Sequence, residues 1–166
     1  MNVVVVGESP LARDLGQLIA RAGHHTRARG ESDFLATEQG DRLQAELANF
    51  DVAIELQNQS VDAKQRLLRA MSQTLPEETL ILSLALVTGV TEAASWIGNP
   101  RRLVGFGLLP PLETPGMVEI AAGLQTALSF IDTASELWRS LSLEPVVVGE
   151  GPGLVRARTV CCLINE

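Results

Sequence analysis

The sequence predicts an α/β fold of the Rossmann-like, doubly wound type, with a mostly parallel sheet and helices on both faces. Three observations predict it. Short strand-like segments alternate with helical segments along the 166 residues. Most of the strands are apolar on both faces, which is typical of a parallel sheet buried between helices. The first strand also runs into a glycine turn and a helix, as in nucleotide-binding βαβ units.

The N-terminal segment carries the clearest local signals. Asn2–Val6 is short, rich in valine and closed by Gly7, which predicts a buried strand. Pro10 suits the first turn of a helix, which continues at helical spacing until Gly23. Ser60 is the expected N-cap of a later amphipathic helix that begins SVDAKQRLL.

The same criteria predict the remaining elements. Thr88 or Thr91 is expected to cap a helix that runs through Trp96. The predicted strands are, in order, His25–Arg29, Asp51–Glu55, Thr79–Leu84, Arg102–Phe106, Val118–Ala121 and Glu144–Val148. The other predicted helices are Gly40–Asn49, Thr126–Leu141 and a last one over Gly153–Glu166, which begins after Pro152.

The composition narrows the classes of partner. The formal net charge is −7, and an acidic surface repels nucleic acid and anionic lipid, so neither is expected as a partner. No apolar run approaches the ~20 residues of a transmembrane helix, and the N-terminus lacks the pattern of a signal peptide. The two cysteines, Cys161 and Cys162, are adjacent and have no other cysteine to pair with, which favours a reduced, cytoplasmic protein. No cluster of histidine, cysteine and acidic residues has the spacing of a metal site.

Three segments, in order, show a resemblance to a known family. Arg102–Glu119, RLVGFGLLPPLETPGMVE, is similar to a family segment R-F-A-G-L-H-F-F-N-P-V-P-x-x-x-L-V-E. Asp51–Lys64 is similar to D-L-V-V-E-A-I-V-E-N-x-x-V-K, and Glu150–Arg158 is similar to D-T-P-G-F-I-V-N-R. The chain thus resembles the NAD-binding domain of the 3-hydroxyacyl-CoA dehydrogenases over nearly its whole length.

At most of the family's catalytic and substrate-binding positions, this chain has residues of a different kind. The family's catalytic histidine, the general base for the substrate hydroxyl, aligns with Gly107. The asparagine that follows it aligns with Pro110, while the glutamate that orients the histidine is retained as Glu119. The family's S-N-T-S substrate loop reads Ser83-Leu84-Ala85-Leu86 here. No catalytic residue is therefore predicted in this chain.

The cofactor positions are partly retained. Gly7 fits the tight turn, but Ser9 replaces the glycine that lets the backbone approach the pyrophosphate. The acid that holds the ribose hydroxyls aligns with Gly30, and Glu31 follows it as a substitute. The predicted cofactor-binding residues are Gly7, Ser9, Leu11, Glu31 and the family lysine Lys64, which is the only lysine of the chain. Glu8, beside the phosphate path, is expected to repel a diphosphate, so NAD binding is expected to be weak or lost.

The resemblance also predicts the domain organisation. Residues 1–150 form a dinucleotide-binding-type domain, and residues 151–166 resemble the first helix of the family's C-terminal domain. The family's long helical hairpin after the second strand is shortened to about twenty residues, Glu31–Phe50. The apolar C-terminal helix predicts a homo-oligomer formed through it.

Two functional hypotheses remain open at this stage. The first is a catalytically inactive dehydrogenase-like domain that binds a nucleotide, an acyl-CoA or another chain. The second is a divergent NAD-dependent 3-hydroxyacyl-CoA dehydrogenase component of fatty acid or acyl-CoA metabolism that borrows groups from a partner chain. Short-chain dehydrogenases are disfavoured because the chain has no tyrosine, whereas shared ancestry with the β-hydroxyacid dehydrogenases stays open.

Overall fold

A computed structural model describes residues 1–36, 47–112 and 114–165. The strands are β1 (Asn2–Val6), β2 (His25–Arg29), β3 (Val52–Glu55), β4 (Leu80–Leu84), β5 (Leu103–Gly107), β6 (Gly116–Ala122) and β7 (Leu143–Val147). The helices are α1 (Pro10–Arg21), α2 (Glu31–Ala36), α3 (Val61–Thr74), α4 (Val90–Ser95), α5 (Leu128–Ser140) and α6 (Arg156–Ile164), with a 3₁₀ turn at Pro100–Arg102.

The seven strands form one sheet in the order β2-β1-β3-β4-β5-β6-β7. All neighbouring strands are parallel except the antiparallel pair β5 and β6. The predicted mostly parallel, doubly wound α/β sheet is confirmed. Because β2 and β3 both flank β1, the chain reverses its winding direction there, and the carboxyl ends of these strands form a crevice.

The two cores follow from the valines of β1. Val3 and Val5 pack into one apolar cluster together with α1 and α5. Val4 and Val6 pack into a second cluster on the opposite face together with α2, α3 and α4. Since successive side chains of a strand point to opposite faces, an uninterrupted valine run buries both faces and requires helices on each side.

Several local predictions hold, and Ser60 is among them. Its side chain accepts a hydrogen bond from Ala63 N at 3.3 Å and caps α3. The predicted capping of α4 is wrong, because the N-cap is Gly89 and makes no side-chain bond. Thr88 instead donates its hydroxyl to Glu92 at 2.8 Å, and the Glu150 carboxylate accepts the N–H of Thr91 at 3.0 Å. A carboxylate distant in sequence thus satisfies the helix terminus.

The two C-terminal helices are shorter than predicted. Helix α5 begins at Leu128 because Thr126 donates its hydroxyl to Leu103 O at 2.8 Å and stays tied to β5. Helix α6 begins at Arg156 because Gly153 and Leu154 have φ values of 77° and 48°, in the left-handed region. Leu154 also packs into the second core cluster, so residue 154 is buried with the preceding domain.

The segment between β2 and β3 differs from its prediction. Helix α2 starts immediately after β2 and buries Phe34, a helix that the sequence patterns did not predict. The helix predicted at Gly40–Asn49 lies mostly outside the described residues. Among the described residues, no helix is long and apolar enough to cross a bilayer.

Candidate functional site

The turn after β1 has the geometry of a nucleotide-binding turn. Gly7 donates its N–H to Arg29 O at 3.0 Å, which joins the ends of β1 and β2. A Cβ at Gly7 would lie 2.9 Å from Leu56 Cβ, so only glycine fits between β1 and the residue that follows β3. Ser9 is the N-cap of α1 with ordinary extended dihedrals and makes no side-chain cap, while Leu11 packs half-buried against the first core.

Glu8 extends away from this turn and lies over Gly30. Its Oε1 is 3.2 Å, and its Cγ 3.8 Å, from the position that a Cβ of Gly30 would occupy. The side-chain space at the end of β2, where the family acid would stand, is therefore occupied by a carboxylate from the β1 turn. Glu8 is exposed and has no hydrogen-bond partner among the described residues.

Glu31 is joined to the far side of the same crevice. Its Oε2 accepts a hydrogen bond from Gln57 Nε2 at 2.7 Å. Glu31 follows β2 and Gln57 follows β3, so this bond passes above the end of β1, which lies between them. Gln57 is itself held in place, because its Oε1 accepts the backbone N–H of Gln59 at 2.7 Å.

Lys64 is buried in a polar network beneath the crevice. Its ammonium group forms an ion pair with Glu55 and donates to Leu84 O at 2.9 Å and Gln57 O at 3.2 Å. Both charged side chains are fully buried. The three N–H groups of the ammonium are thus all engaged, and they join the carboxyl end of β3 to that of β4.

The carboxylate of Glu55 is correspondingly well satisfied. Ser83 donates its hydroxyl to Glu55 Oε2 at 2.7 Å, and the Gln57 N–H donates to Oε1 at 2.5 Å. Burial raises the pKa of Glu55 above its ordinary value, while the Lys64 ammonium and the Ser83 hydroxyl act in the opposite direction. Ser83, which the sequence aligns with the family's substrate loop, is only 2% exposed and serves this network.

A groove of about 600 Å³ runs from the crevice along α1. Its walls include Glu8, Ser9 and Gly30 at the crevice end and small residues of α1 further along. Glu8 and Ser9 therefore face open space that a ligand could enter. Among the residues that the structure describes, no group of three or more His, Cys, Asp and Glu side chains is arranged for a metal ion.

The position of the family's catalytic histidine is filled by another side chain. A Cβ at the buried Gly107 would lie 2.9 Å from Leu154 Cδ1 and 3.0 Å from Glu119 Oε2. Leu154 is 1% exposed and comes from the loop before α6. No space is left for an imidazole at this point unless Leu154 moves.

Glu119 has acquired a different partner. Its carboxylate is buried and accepts the backbone N–H of Arg156 at 3.0 Å and 3.3 Å through its two oxygens. Arg156 is the first residue of α6, so Glu119 stabilises the start of that helix. Its retention is thereby explained without a catalytic histidine.

The sequence patterns missed two residues of the site. Leu154 lies 47 positions beyond Gly107 and is brought to it by the left-handed turn at Gly153–Leu154. No local sequence pattern predicts that turn. Gln57 was not singled out, although a long polar side chain directly after a buried strand, DVAIELQ, is a usable signal for a group at the sheet edge. The remaining predicted residues, Gly7, Ser9 and Glu31, all lie at the crevice.

The chain is similar in sequence to the NAD-binding domains of known dehydrogenases. The family model described as the NAD-binding domain of 3-hydroxyacyl-CoA dehydrogenase matches residues 34–151. A 3-hydroxybutyryl-CoA dehydrogenase of Clostridioides difficile is 28% identical over 121 residues, which are 73% of this chain and 43% of that protein. A 3-hydroxyadipyl-CoA dehydrogenase of Escherichia coli K12 is 28% identical over 109 residues, 66% of this chain and 23% of that protein.

Solved structures show the same fold. The (S)-3-hydroxybutyryl-CoA dehydrogenase PaaH1 of Ralstonia eutropha superposes with a TM-score of 0.85 at 21% identity, covering 99% of this chain and 69% of that one. An NAD⁺-dependent 5-formyl-3-hydroxy-2-methylpyridine 4-carboxylic acid 5-dehydrogenase gives 0.84 at 22% identity, covering 99% and 63%. The chain spans less than half the length of the two curated relatives.

Proposed function

The chain belongs to the family of the 3-hydroxyacyl-CoA dehydrogenase NAD-binding domain, and we propose that it is a catalytically inactive member that serves as a binding module. The observation that carries the proposal is the filled histidine position: Leu154 and Glu119 lie within about 3 Å of any Cβ at Gly107. Loss of a general base alone slows such reactions by ~10²–10⁴-fold. Here Pro110, Leu84 and Ala85 also replace polar positions of the family's substrate loop and its neighbour.

The nucleotide crevice in this proposal keeps its shape but binds NAD weakly. Ser9 carries a side chain where the family has glycine, so the backbone cannot approach a diphosphate as closely. Lys64 is buried, and its three N–H groups are used within the protein, so it cannot donate to a cofactor without breaking the ion pair with Glu55. A location in the reducing cytoplasm fits the two free thiols, Cys161 and Cys162.

Calorimetric titration and a turnover assay test this proposal together. The full chain is titrated with NAD and NADH, and NADH oxidation is followed with acetoacetyl-CoA as substrate. We expect no saturable binding of either nucleotide at micromolar concentrations and no turnover, with an active 3-hydroxybutyryl-CoA dehydrogenase as the positive control. Micromolar affinity for NAD would refute the weakened crevice, and measurable turnover would refute the inactive site.

A second element of the proposal is self-association through α6. None of the nine residues of this helix is buried, and Leu163 and Ile164 are 68% and 76% exposed. Arg156 and Arg158 lie in its first turn. Antiparallel packing of two copies would place these arginines beside the carbonyl end of the partner helix, whose dipole is negative there, so a second copy complements both the apolar surface and the charge.

The alternative of a dehydrogenase component completed by a partner chain is less well supported. A partner would have to deliver its base to the space beside Glu119, which Leu154 occupies. It would also have to replace the contacts of Glu119 with Arg156 N. Turnover that appears only when an additional chain is present would favour this alternative.

A further inference from the structure

A second pocket lies away from the nucleotide crevice, between the loop after β5 and the start of α6. Its volume is about 180 Å³, and Arg156 is the one charged residue among the described residues that line it. Its other walls include Leu108, Leu112, Met117 and Leu143. We propose that this pocket binds a short aliphatic monocarboxylate, with the carboxylate on Arg156 and the chain against the leucines. The site goes beyond the proposed function, since it depends neither on a nucleotide nor on self-association.

The pocket is separate from the position of the family's catalytic histidine. Leu108 and Leu143 belong to the first core cluster, whereas Leu154, which lies against Gly107, belongs to the second. Successive residues of an extended chain point to opposite faces of a sheet, so Leu108, directly after β5, faces away from the space beside Gly107. A ligand in this pocket therefore does not occupy the place where the family holds its catalytic base.

Arg156 supplies the hydrogen-bond donors for an anion. Its Nη1 donates to Met117 O at 3.3 Å, which places the guanidinium at the wall of the pocket. A guanidinium carries five N–H groups, and the remaining ones of Arg156 meet no protein acceptor among the described residues. Their planar arrangement matches the two oxygens of a carboxylate, which can accept two parallel hydrogen bonds.

Two acids that are close to the pocket in the fold are engaged elsewhere. Glu119 accepts the backbone N–H of Arg156 at 3.0 Å and faces Gly107, and it forms no ion pair with the guanidinium. Glu144, beside the lining residue Leu143, pairs with Arg139 at 3.8 Å. The guanidinium of Arg156 thus keeps its charge and its donors for an anionic ligand.

The volume of the pocket limits the length of that ligand. A cavity of about 150 Å³ holds one benzene molecule. On the same scale, about 180 Å³ accommodates roughly six to eight non-hydrogen atoms, which is the size of butyrate or pentanoate. Leu108 and Leu143 are buried and form an apolar floor for the chain, so a ligand that is only an anion would leave this surface unused.

Titration of the isotope-labelled full chain, followed by its amide NMR signals, tests the site. The probes are butyrate, its neutral isostere butyramide and inorganic phosphate, each taken to tens of millimolar. Butyrate is expected to shift the signals of the lining residues saturably, with a Kd of about 1 mM for so small a ligand. Butyramide and phosphate should each bind at least about tenfold more weakly, because the first lacks the charge and the second lacks the chain.

Variants assign the two halves of the ligand to their residues. Arg156→Met should weaken butyrate binding about tenfold or more, while hydrogen exchange at its backbone amide reports whether the contact with Glu119 persists. Leu112→Ala should shift the preference from butyrate to hexanoate, because it lengthens the pocket, and a merely structural role of Leu112 would not change chain-length preference. Arg21→Met removes an exposed arginine at the end of α1 and is the matched control without effect.

Several outcomes would overturn the proposal. Phosphate that binds as tightly as butyrate would mean an adventitious ion only. Absence of saturable shifts with butyrate, or a folded Arg156→Met variant that binds like the parent chain, would refute the site. If Arg156→Met does not fold, equal binding of butyrate and butyramide to the parent chain would refute the role of the charge.

The same titration on Leu163→Glu separates this site from self-association through α6. Every lining residue belongs to one chain, so the same Kd is expected whether or not the chain dimerises, and binding that requires the dimer would contradict the proposal. Micromolar NAD binding or turnover of acetoacetyl-CoA would refute the proposed function and leave the carboxylate site standing. Weak NAD binding without any butyrate signal would refute only the carboxylate site.

Discussion

Replacing Gly107 with histidine puts the family's catalytic residue back into the sequence. The structure leaves no room for its imidazole at that position. The new Cβ would lie 2.9 Å from Leu154 Cδ1, closer than the ~3.5 Å at which carbon atoms pack favourably, and 3.0 Å from Glu119 Oε2. The ring beyond Cβ needs still more room. We therefore expect Gly107→His to be destabilised and to remain inactive.

The magnitude follows from the packing of Leu154. Inserting a larger side chain into a filled core costs about 1–3 kcal/mol, and the buried setting of Gly107 places this variant near the upper end. Leu154→Ala alone should cost about 2–5 kcal/mol, since a fully buried leucine is lost. In the double variant the imidazole enters the space that Leu154 vacates. The loss of stability in the double variant should therefore be smaller than the sum of the two single losses by about 1 kcal/mol or more.

Urea denaturation of the four proteins measures this cycle. At an m value of about 2 kcal/mol per M, the single histidine variant should unfold at a midpoint roughly 1–1.5 M lower than the parent chain. Gly149→His is the matched control, because no atom lies within 4 Å of its Cβ position and the residue is exposed. It should change stability by less than about 0.5 kcal/mol.

The result that would refute this reasoning is specific. A Gly107→His variant as stable as the parent chain, or additive costs in the double variant, would mean that Leu154 does not fill the histidine position. Turnover of acetoacetyl-CoA by the single variant would additionally show that the lost substrate-loop groups matter less than we infer. Neither outcome is expected while Leu154 packs where it does.

Four further predictions concern the buried ion pair, the start of α6 and, in two cases, the exposed surface of α6. Lys64→Met should lower the free energy of unfolding by about 3–5 kcal/mol, because the buried Glu55 carboxyl is left without its counter-ion, and Glu55→Gln added to it should recover part of that loss in urea denaturation. Glu119→Ala should free the N-terminus of α6 and increase hydrogen exchange at the Arg156 amide, while exchange at the distant amides of β1 stays unchanged. Leu163→Glu should abolish concentration-dependent dimerisation in light scattering. The control Leu124→Glu, at an 88% exposed position away from α6, should not. A parent chain that is monomeric at all concentrations would contradict the self-association. In the same samples, the thiols of Cys161 and Cys162, which are exposed in the single chain, should react more slowly with a disulfide reagent as the dimer forms.

Local chemistry was sufficient to predict most of the fold. The valine run of β1, the helix from Pro10 and the Ser60 cap all depend on residues within a few positions of one another, so a pattern along the chain captures them. The errors lie where a distant residue supplies the missing contact. Glu150 satisfies the start of α4, and Glu119 satisfies the start of α6, so neither helix begins at the residue that local capping rules indicate.

The same distinction between local and long-range contacts applies to the site. From the chain alone one could infer that Gly107 lacks an imidazole, that Gly30 lacks an acid and that Gly7 preserves the turn, because each is a property of a single position. That Leu154 fills the space at Gly107, that Glu8 covers Gly30 and that Gln57 holds Glu31 depends on residues 47, 22 and 26 positions apart. Such pairs meet only because the parallel strands bring their carboxyl ends to one edge of the sheet, and the packing there, rather than any local preference, determines which side chain takes the space another has left.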